Sequence, residues 1–334
     1  MSLWLLAVIF AASSAVVGWA GVRVSRAGDE ISEQTGASGL LVGMILVAAA
    51  TSLPEIVTTA SASLTDGPDL AVGNLFGSSM ANMAILGIVD LAGRHQVWKN
   101  VEGGQPRLAA LAAAVTAIAT LAVLAPSSLV VGWVGADTIV IAGAYLAVLA
   151  WMRRSPKGRF GEDSSVEAPD GSAASENGQL RSTVRRFATG AILILVAAPV
   201  VTLAAAAIAE ETGIGQTFVG TTLLAFTTSL PELVASLTAL RIGAHDMAVG
   251  NLFGSNAFNM VMLLVADLFY VPGSLMKAVD PNQAIGGVSA MLLMTLVLAS
   301  IAHGTETRFR RLEPDATLVL VVYLGCLYAL WSTG

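Results

Sequence analysis

Residues 43–92 and 220–269 are two copies of one sequence, and any fold for this chain must accommodate both. They align without a gap at an offset of 177, and 24 of the 50 aligned positions are identical, which marks an internal duplication. Two blocks are nearly unchanged between the copies: TSLPE (Thr51–Glu55 and Thr228–Glu232) and AVGNLFGS (Ala71–Ser78 and Ala248–Ser255). Both put glycine, proline and oxygen-bearing side chains inside long apolar runs, which is abnormal for a helix that merely spans a bilayer.

The apolar runs decide the class. Hydrophobic residues make up 55% of the 334 residues and charged residues 12%, against about 25% charged in a soluble domain. Mean hydropathy is +0.75. The chain reads as a membrane protein that spans the bilayer many times, since a spanning helix takes about 20 apolar residues. Ten stretches qualify: 2–22, 39–64, 69–92, 107–126, 129–151, 187–209, 216–241, 246–270, 283–302 and 315–333. Helices are expected because lipid leaves backbone amides unsatisfied. The first stretch has no Lys or Arg before it and is read as a retained helix rather than a signal peptide.

Charge placement gives a topology. With the N-terminus outside, the odd-numbered loops hold 16 of the 17 basic residues and the even-numbered loops hold only Lys277. The positive-inside rule makes the odd side cytoplasmic, so both termini are expected outside a cell (inner) membrane. The polar segment 153–186, rich in Ser, Gly, Glu and Asp, reads as a flexible cytoplasmic linker. It separates a first repeat, 1–152, from a second, 187–334.

The duplication reaches further. Glu33, Thr35 and Gly36 align with Glu210, Thr212 and Gly213 at the same offset, and Asp137 and Tyr145 align with Asp315 and Tyr323 at 178. Each half therefore holds five spans. Five is odd, so the second half enters the membrane inverted. The expected fold is an all-α membrane protein of ten transmembrane helices arranged as two inverted five-helix repeats, with a site where the repeats meet near the midplane. Asp137 and Asp315, just before apolar runs, are expected as helix N-caps.

Glu55 and Glu232 fall mid-span with no Lys or Arg at depth beside them. A carboxylate there costs at least ~2.5 kcal/mol on insertion scales, so bound cations or protons must supply the compensating charge. Protonated glutamates bonded between helices are the alternative, weakened by the equivalence of the two positions. Pro54 and Pro231 remove an amide and free carbonyls near the acids. Thr51, Ser52, Thr228 and Ser229 add hydroxyls, although such groups often bond back to their own helix. Asn82 and Asn259 follow Ser78 and Ser255 by four residues, on one helical face. The glycines of the G-N-L-F-G runs permit close helix contact. Oxygen ligands with a charge of −2 suit Ca2+ or Na+ and disfavour zinc or copper. The lone cysteine, Cys326, excludes a disulfide framework and a thiolate site. His95, His245 and His303 fall in or near loops.

The paired TSLPE and GNLFGS repeats resemble the alpha-repeats of the cation/calcium antiporter superfamily, most nearly the prokaryotic sodium/calcium exchangers. The resemblance implies ten helices, with helices 2, 3, 7 and 8 around the ions and helices 1 and 6 sliding across them. It makes Glu55 and Glu232 the central calcium ligands, with the carbonyls of Thr51 and Thr228 as companions. It makes Ala48, Ser52, Ser78, Ala225, Ser229 and Ser255 contributors to flanking sodium sites, and sets Asn82 and Asn259 at the centre. Many relatives carry an acid where Asn259 stands, which argues against potassium coupling here. The Gly-Asn-x-x-Glu pattern of the proton-coupled branch is absent.

The sequence thus predicts a secondary antiporter that exchanges Na+ for Ca2+ by alternating access and extrudes calcium. The alternative is a Ca2+/H+ antiporter on the same fold. An intramembrane enzyme is disfavoured because no HExxH or GxSxG setting occurs, and a channel is disfavoured by the inverted duplication. The expected partners are the two ions and the bilayer, with no cofactor and no nucleic acid, and the protein is expected to work as a monomer.

Overall fold

The computed structural model describes residues 2–37, 42–64, 67–92, 105–154, 173–212, 224–303 and 314–333. Over these the chain is helical apart from one small hairpin and short connecting turns. Helix α1 spans Leu3–Thr35. A π-helical turn, Val42–Val47, leads into α2, Ala48–Thr51, and α3, Leu53–Leu64. Then come α4, Pro68–Ala92, and α5, Gln105–Leu124. Strands β1, Val130–Val131, and β2, Val134–Gly135, pair antiparallel ahead of α6, Ala136–Arg154. The second half runs α7, Ala173–Thr212; α8, Leu224–Thr228; α9, Leu230–Arg241; and α10, His245–Phe269. It closes with α11, Leu275–Ala278; α12, Ala284–His303; and α13, Pro314–Thr333.

Among the described residues, seven helices are long and apolar enough to cross a membrane, or eight if the bent pair Val42–Thr51 and Leu53–Leu64 is one span. Helix α6 falls short, with an apolar part of Ala136–Ala150. The expected span 216–241 is described only from residue 224 onward.

Four expectations are corrected. The stretch 129–151 does not begin as helix: Val130 pairs with Gly135 and Val131 with Val134 around Gly132, whose φ is +68°. The β-branched valines suit strands, and the buried Asp267 of α10 holds the hairpin by accepting the Gly135 N–H at 2.7 Å. The first span does not end at residue 22. Helix α1 continues to Gly36, which stops it in the left-handed conformation at φ 66°. The linker 153–186 is shorter than expected, because α7 starts at Ala173. Arg186 makes a forked ion pair with Glu30 of α1, and Gln34 donates to Thr183, so this part of α7 is held against α1. Residues 155–172 lie outside the described residues. Asp137 and Asp315 are not N-caps. Each lies in its helix's first turn, where the macrodipole favours an acid, and Asp137 accepts the N–H of Ser127 at 2.9 Å.

Helices α4 and α10 form the middle. Phe76, Leu75, Phe253 and Leu252 are fully buried, packed against α5 and α12. Close approach is set by two glycines. A Cβ on Gly254 would lie 2.6 Å from the Met44 carbonyl oxygen, and one on Gly43 would lie 2.5 Å from that of Met247. At the flank, α1 lies along α7, with Gly190 against Val24. Cys326 is buried and packs in α13.

Candidate ion-binding site

The two TSLPE blocks break their helices alike. Pro54 has no N–H to offer the Ala50 carbonyl, and the chain turns by 49° between α2 and α3. Ser52 stands at the break, donating its N–H to the Ala48 carbonyl at 2.9 Å and accepting from Ile56 at 3.3 Å. In the second copy Ser229 does the same between Ala225 and Leu233, both at 3.1 Å. Each glutamate thus sits in the first turn of the helix after its break.

The breaks face one another, and the polar contacts cross between copies. Ser52 donates to Glu232 Oε1 at 3.0 Å, and Ser229 donates to Glu55 Oε1 at 3.5 Å. Ser255 of α10 also donates to Glu232 Oε1, at 3.4 Å. Ser78 of α4 bonds the Thr228 hydroxyl at 3.3 Å. Asn82 donates to Asn256 at 2.9 Å, and Asn259 donates to Ser79, the position equivalent to Asn256, at 3.4 Å. All twelve residues expected at the site are buried: Ala48, Thr51, Ser52, Glu55, Ser78, Asn82, Ala225, Thr228, Ser229, Glu232, Ser255 and Asn259. The hydroxyl of Thr51 also bonds back to Val47 at 3.0 Å and Ala48 at 3.2 Å, as threonines in membrane helices commonly do.

What is left over defines the chemistry. Glu55 Oε2, Glu232 Oε2, Asn82 Oδ1 and Asn259 Oδ1 are buried and have no hydrogen-bond partner among the described residues. Neither glutamate takes part in an ion pair among the described residues. Orphaned buried oxygens on both sides of the repeat interface carry a desolvation cost that a cation relieves. Among the described residues no group of three His, Cys, Asp or Glu is gathered, so the donor set is two carboxylates plus neutral oxygens. That set suits hard cations. His245 begins α10, away from these oxygens in sequence, and the side chains of His95 and His303 lie outside the described residues.

The family follows from the whole chain. The family model described as "Sodium/calcium exchanger protein" matches residues 5–153 and 184–332. The chain belongs to that family. It is a member of the cation/calcium antiporter superfamily. Among curated proteins it is 29% identical over 289 residues to the inner membrane protein YrbG of Escherichia coli, covering 85% of this chain and 84% of that one. It is 49% identical to the sodium/calcium exchanger MaX1 of Methanosarcina acetivorans over 63 residues, 19% of this chain and 18% of MaX1. Among solved structures, the sodium-calcium exchanger NCX_Mj superposes with a TM-score of 0.74 over 98% of this chain and 99% of that chain, at 21% identity. The shared architecture is therefore that of this exchanger.

Several buried polar residues escaped the sequence reading. Asn74 and Asn251 occupy equivalent positions in α4 and α10 and donate to Thr59 at 3.4 Å and to Ser236 at 3.0 Å. Both asparagines lie inside G-N-L-F-G runs, between glycines that by themselves account for close helix contact. The signal was present, since a polar residue repeated at one position of two apolar helices is itself costly, though less so than a charge. Asp267 also escaped. Its carboxylate accepts from Gly135, Thr138 and Leu275 within 2.6–2.7 Å, so it is structural.

Proposed function

We propose that this protein is a Na+/Ca2+ antiporter of the cell (inner) membrane, with ten spans in two inverted five-helix repeats and both termini outside. Each of the ten apolar stretches coincides, in whole or in part, with a helix among the described residues, α6 and the α8–α9 pair supplying those that fall short on length. Sodium entering down its gradient drives calcium out. Glu55 and Glu232 hold calcium at the centre with Thr51, Thr228, Asn82 and Asn259. Ser52, Ser78, Ser229, Ser255, Ala48 and Ala225 hold sodium beside it.

One observation carries this reading. Two buried glutamates from equivalent positions each have one oxygen held by a serine of the opposite copy and the other without a partner among the described residues. Calcium and sodium neutralise the same pair of charges, so the two cargoes exclude one another. With neither bound, two uncompensated carboxylates would have to cross the low-dielectric layer. That step is unfavourable, and leak is thereby suppressed.

The test is calcium uptake into proteoliposomes under separately imposed sodium, potassium and proton gradients. Uptake driven by an outward sodium gradient is the expected result. Uptake driven by a proton gradient without sodium would replace this reading with Ca2+/H+ exchange.

A further inference from the structure

The two copies are equivalent in sequence at Thr51 and Thr228 and at Asn74 and Asn251, but the structure uses them differently. Thr51 Oγ1 lies 3.2 Å from Asn251 Oδ1. From there a polar chain continues: Asn251 Nδ2 donates to Ser236 Oγ at 3.0 Å, and Ser236 reaches the Ala248 carbonyl at 3.5 Å. The equivalent link in the other copy would join Thr228 to Asn74 Oδ1. It is not made. Asn74 Oδ1 is buried without a partner among the described residues, and the Thr228 hydroxyl instead faces Ser78 at 3.3 Å. The lower link does occur in both copies, Asn74 donating to Thr59 as Asn251 donates to Ser236. Both asparagines are at most 1% exposed. The copies also differ at Ser255, which reaches Glu232 while the equivalent Ser78 reaches Thr228, so the asymmetry lies around the threonine and glutamate of each break and includes the link between asparagine and threonine.

A buried amide oxygen without a donor is costly, so Asn74 Oδ1 is held in a state that some other arrangement of the chain relieves. If inverted repeats exchange conformations when access changes side, the state opposite to this one has Thr228 bonded to Asn74 and leaves Asn251 Oδ1 without its threonine. We propose that Asn74 and Asn251 are positioning residues that act in turn. Each holds the threonine at the helix break of the opposite copy in one of the two access states, and the exchange of the two bonds accompanies the switch. The inference rests on the inverted-repeat reading of the proposed function, but not on the identity of the cargo.

The experiment uses full-length protein in membrane vesicles, free of calcium, with Cys326→Ala and a single reporter, Ala48→Cys or Ala225→Cys. These alanines stand one turn before the two breaks, at equivalent positions that inversion sends toward opposite faces. The measured quantity is the ratio of their labelling rates with a membrane-permeant thiol reagent. Asn251→Ala and Asn74→Ala should move that ratio in opposite directions, each by about 3- to 10-fold, the factor expected for one lost hydrogen bond. The double variant should return it toward the starting value. Asn251→Ser and Asn74→Ser, which retain a hydroxyl in a smaller side chain, provide a second series if an alanine variant fails to fold. Shifts of the same sign, or slower labelling with an unchanged ratio, would show the asparagines to be packing elements and overturn the proposal. Labelling ratios that shift as expected, together with a wild type that moves no calcium, would sink the cargo assignment and leave this result standing.

Discussion

The central helices α4 and α10 and the flanking helices α1 and α7 obey different rules. In α4 and α10 the polar residues Asn74, Ser78, Ser79, Asn82, Asn251, Ser255, Asn256 and Asn259 are all buried, and the two sequences match at position after position. In α1 and α7 large side chains such as Trp4, Trp19, Ile192, Val196 and Leu203 are exposed on the outer surface. Beyond the match around Glu33 and Glu210, the spanning parts of these two helices share little sequence. A surface facing hydrocarbon asks only that side chains be apolar, and many sequences satisfy it. A buried polar network asks for particular atoms at particular distances, and few do. Duplication therefore stays legible in the centre and fades at the flank.

The sharpest test of this contrast is at the glutamates. Glu55→Gln or Glu232→Gln keeps the volume and removes a charge, so calcium flux in proteoliposomes should fall to background, more than about 100-fold. Elution and thermal unfolding in detergent should stay close to wild type, since a buried unpaired charge stabilises nothing by itself. Near-normal flux in both variants would remove these residues from the site.

Packing gives the next effect. Gly254→Ala places a methyl group 2.6 Å from the Met44 carbonyl, and overpacking of this kind costs about 1–3 kcal/mol. Gly18→Ala in α1 meets nothing within 4 Å and should stabilise by about 0.5–1 kcal/mol, the helix-interior penalty of glycine. Thermal unfolding of the two variants side by side checks the pair. Equal shifts would erase the distinction between centre and flank.

Asn259→Asp adds a third buried carboxylate to a core whose two glutamates make no ion pair among the described residues. Wild-type flux is expected to be indifferent to potassium and weakly dependent on pH near neutrality, with some inhibition by acid as protons compete at the glutamates. The variant should acquire a potassium response or a steeper pH dependence, because the added charge demands a further cation. Flux measured with sodium, potassium and pH varied separately decides it, and an unaltered profile would remove Asn259 from coupling.

The smallest change is expected at Arg186, whose ion pair with Glu30 is 44% and 35% exposed. Arg186→Gln should destabilise by about 0–1 kcal/mol and less in high salt. A larger loss would mean that the contact of α1 with α7 depends on this pair rather than on apolar packing.

The sequence by itself determined the class, the duplication and the candidate oxygens. Glu55 and Glu232 stood out because a charge repeated at one position of two apolar runs is too costly to be incidental. The breaks at Pro54 and Pro231 were legible because proline removes a donor wherever it stands. The hairpin at 130–135 was not, since valines between apolar neighbours read equally as helix or strand until Asp267 from another helix pins them. The helical start of α7 was hidden as well, because residues 173–186 look like linker until Glu30 and Gln34 of α1 hold Arg186 and Thr183. Only the tertiary structure decided that Ser52 serves Glu232 while Ser229 serves Glu55, and that Thr51 meets Asn251 while Thr228 does not meet Asn74. The physical reason is distance. Cost and periodicity are local properties that a sequence carries on its face, whereas a hydrogen bond between residues 174 to 200 apart exists only once packing has brought two helices together.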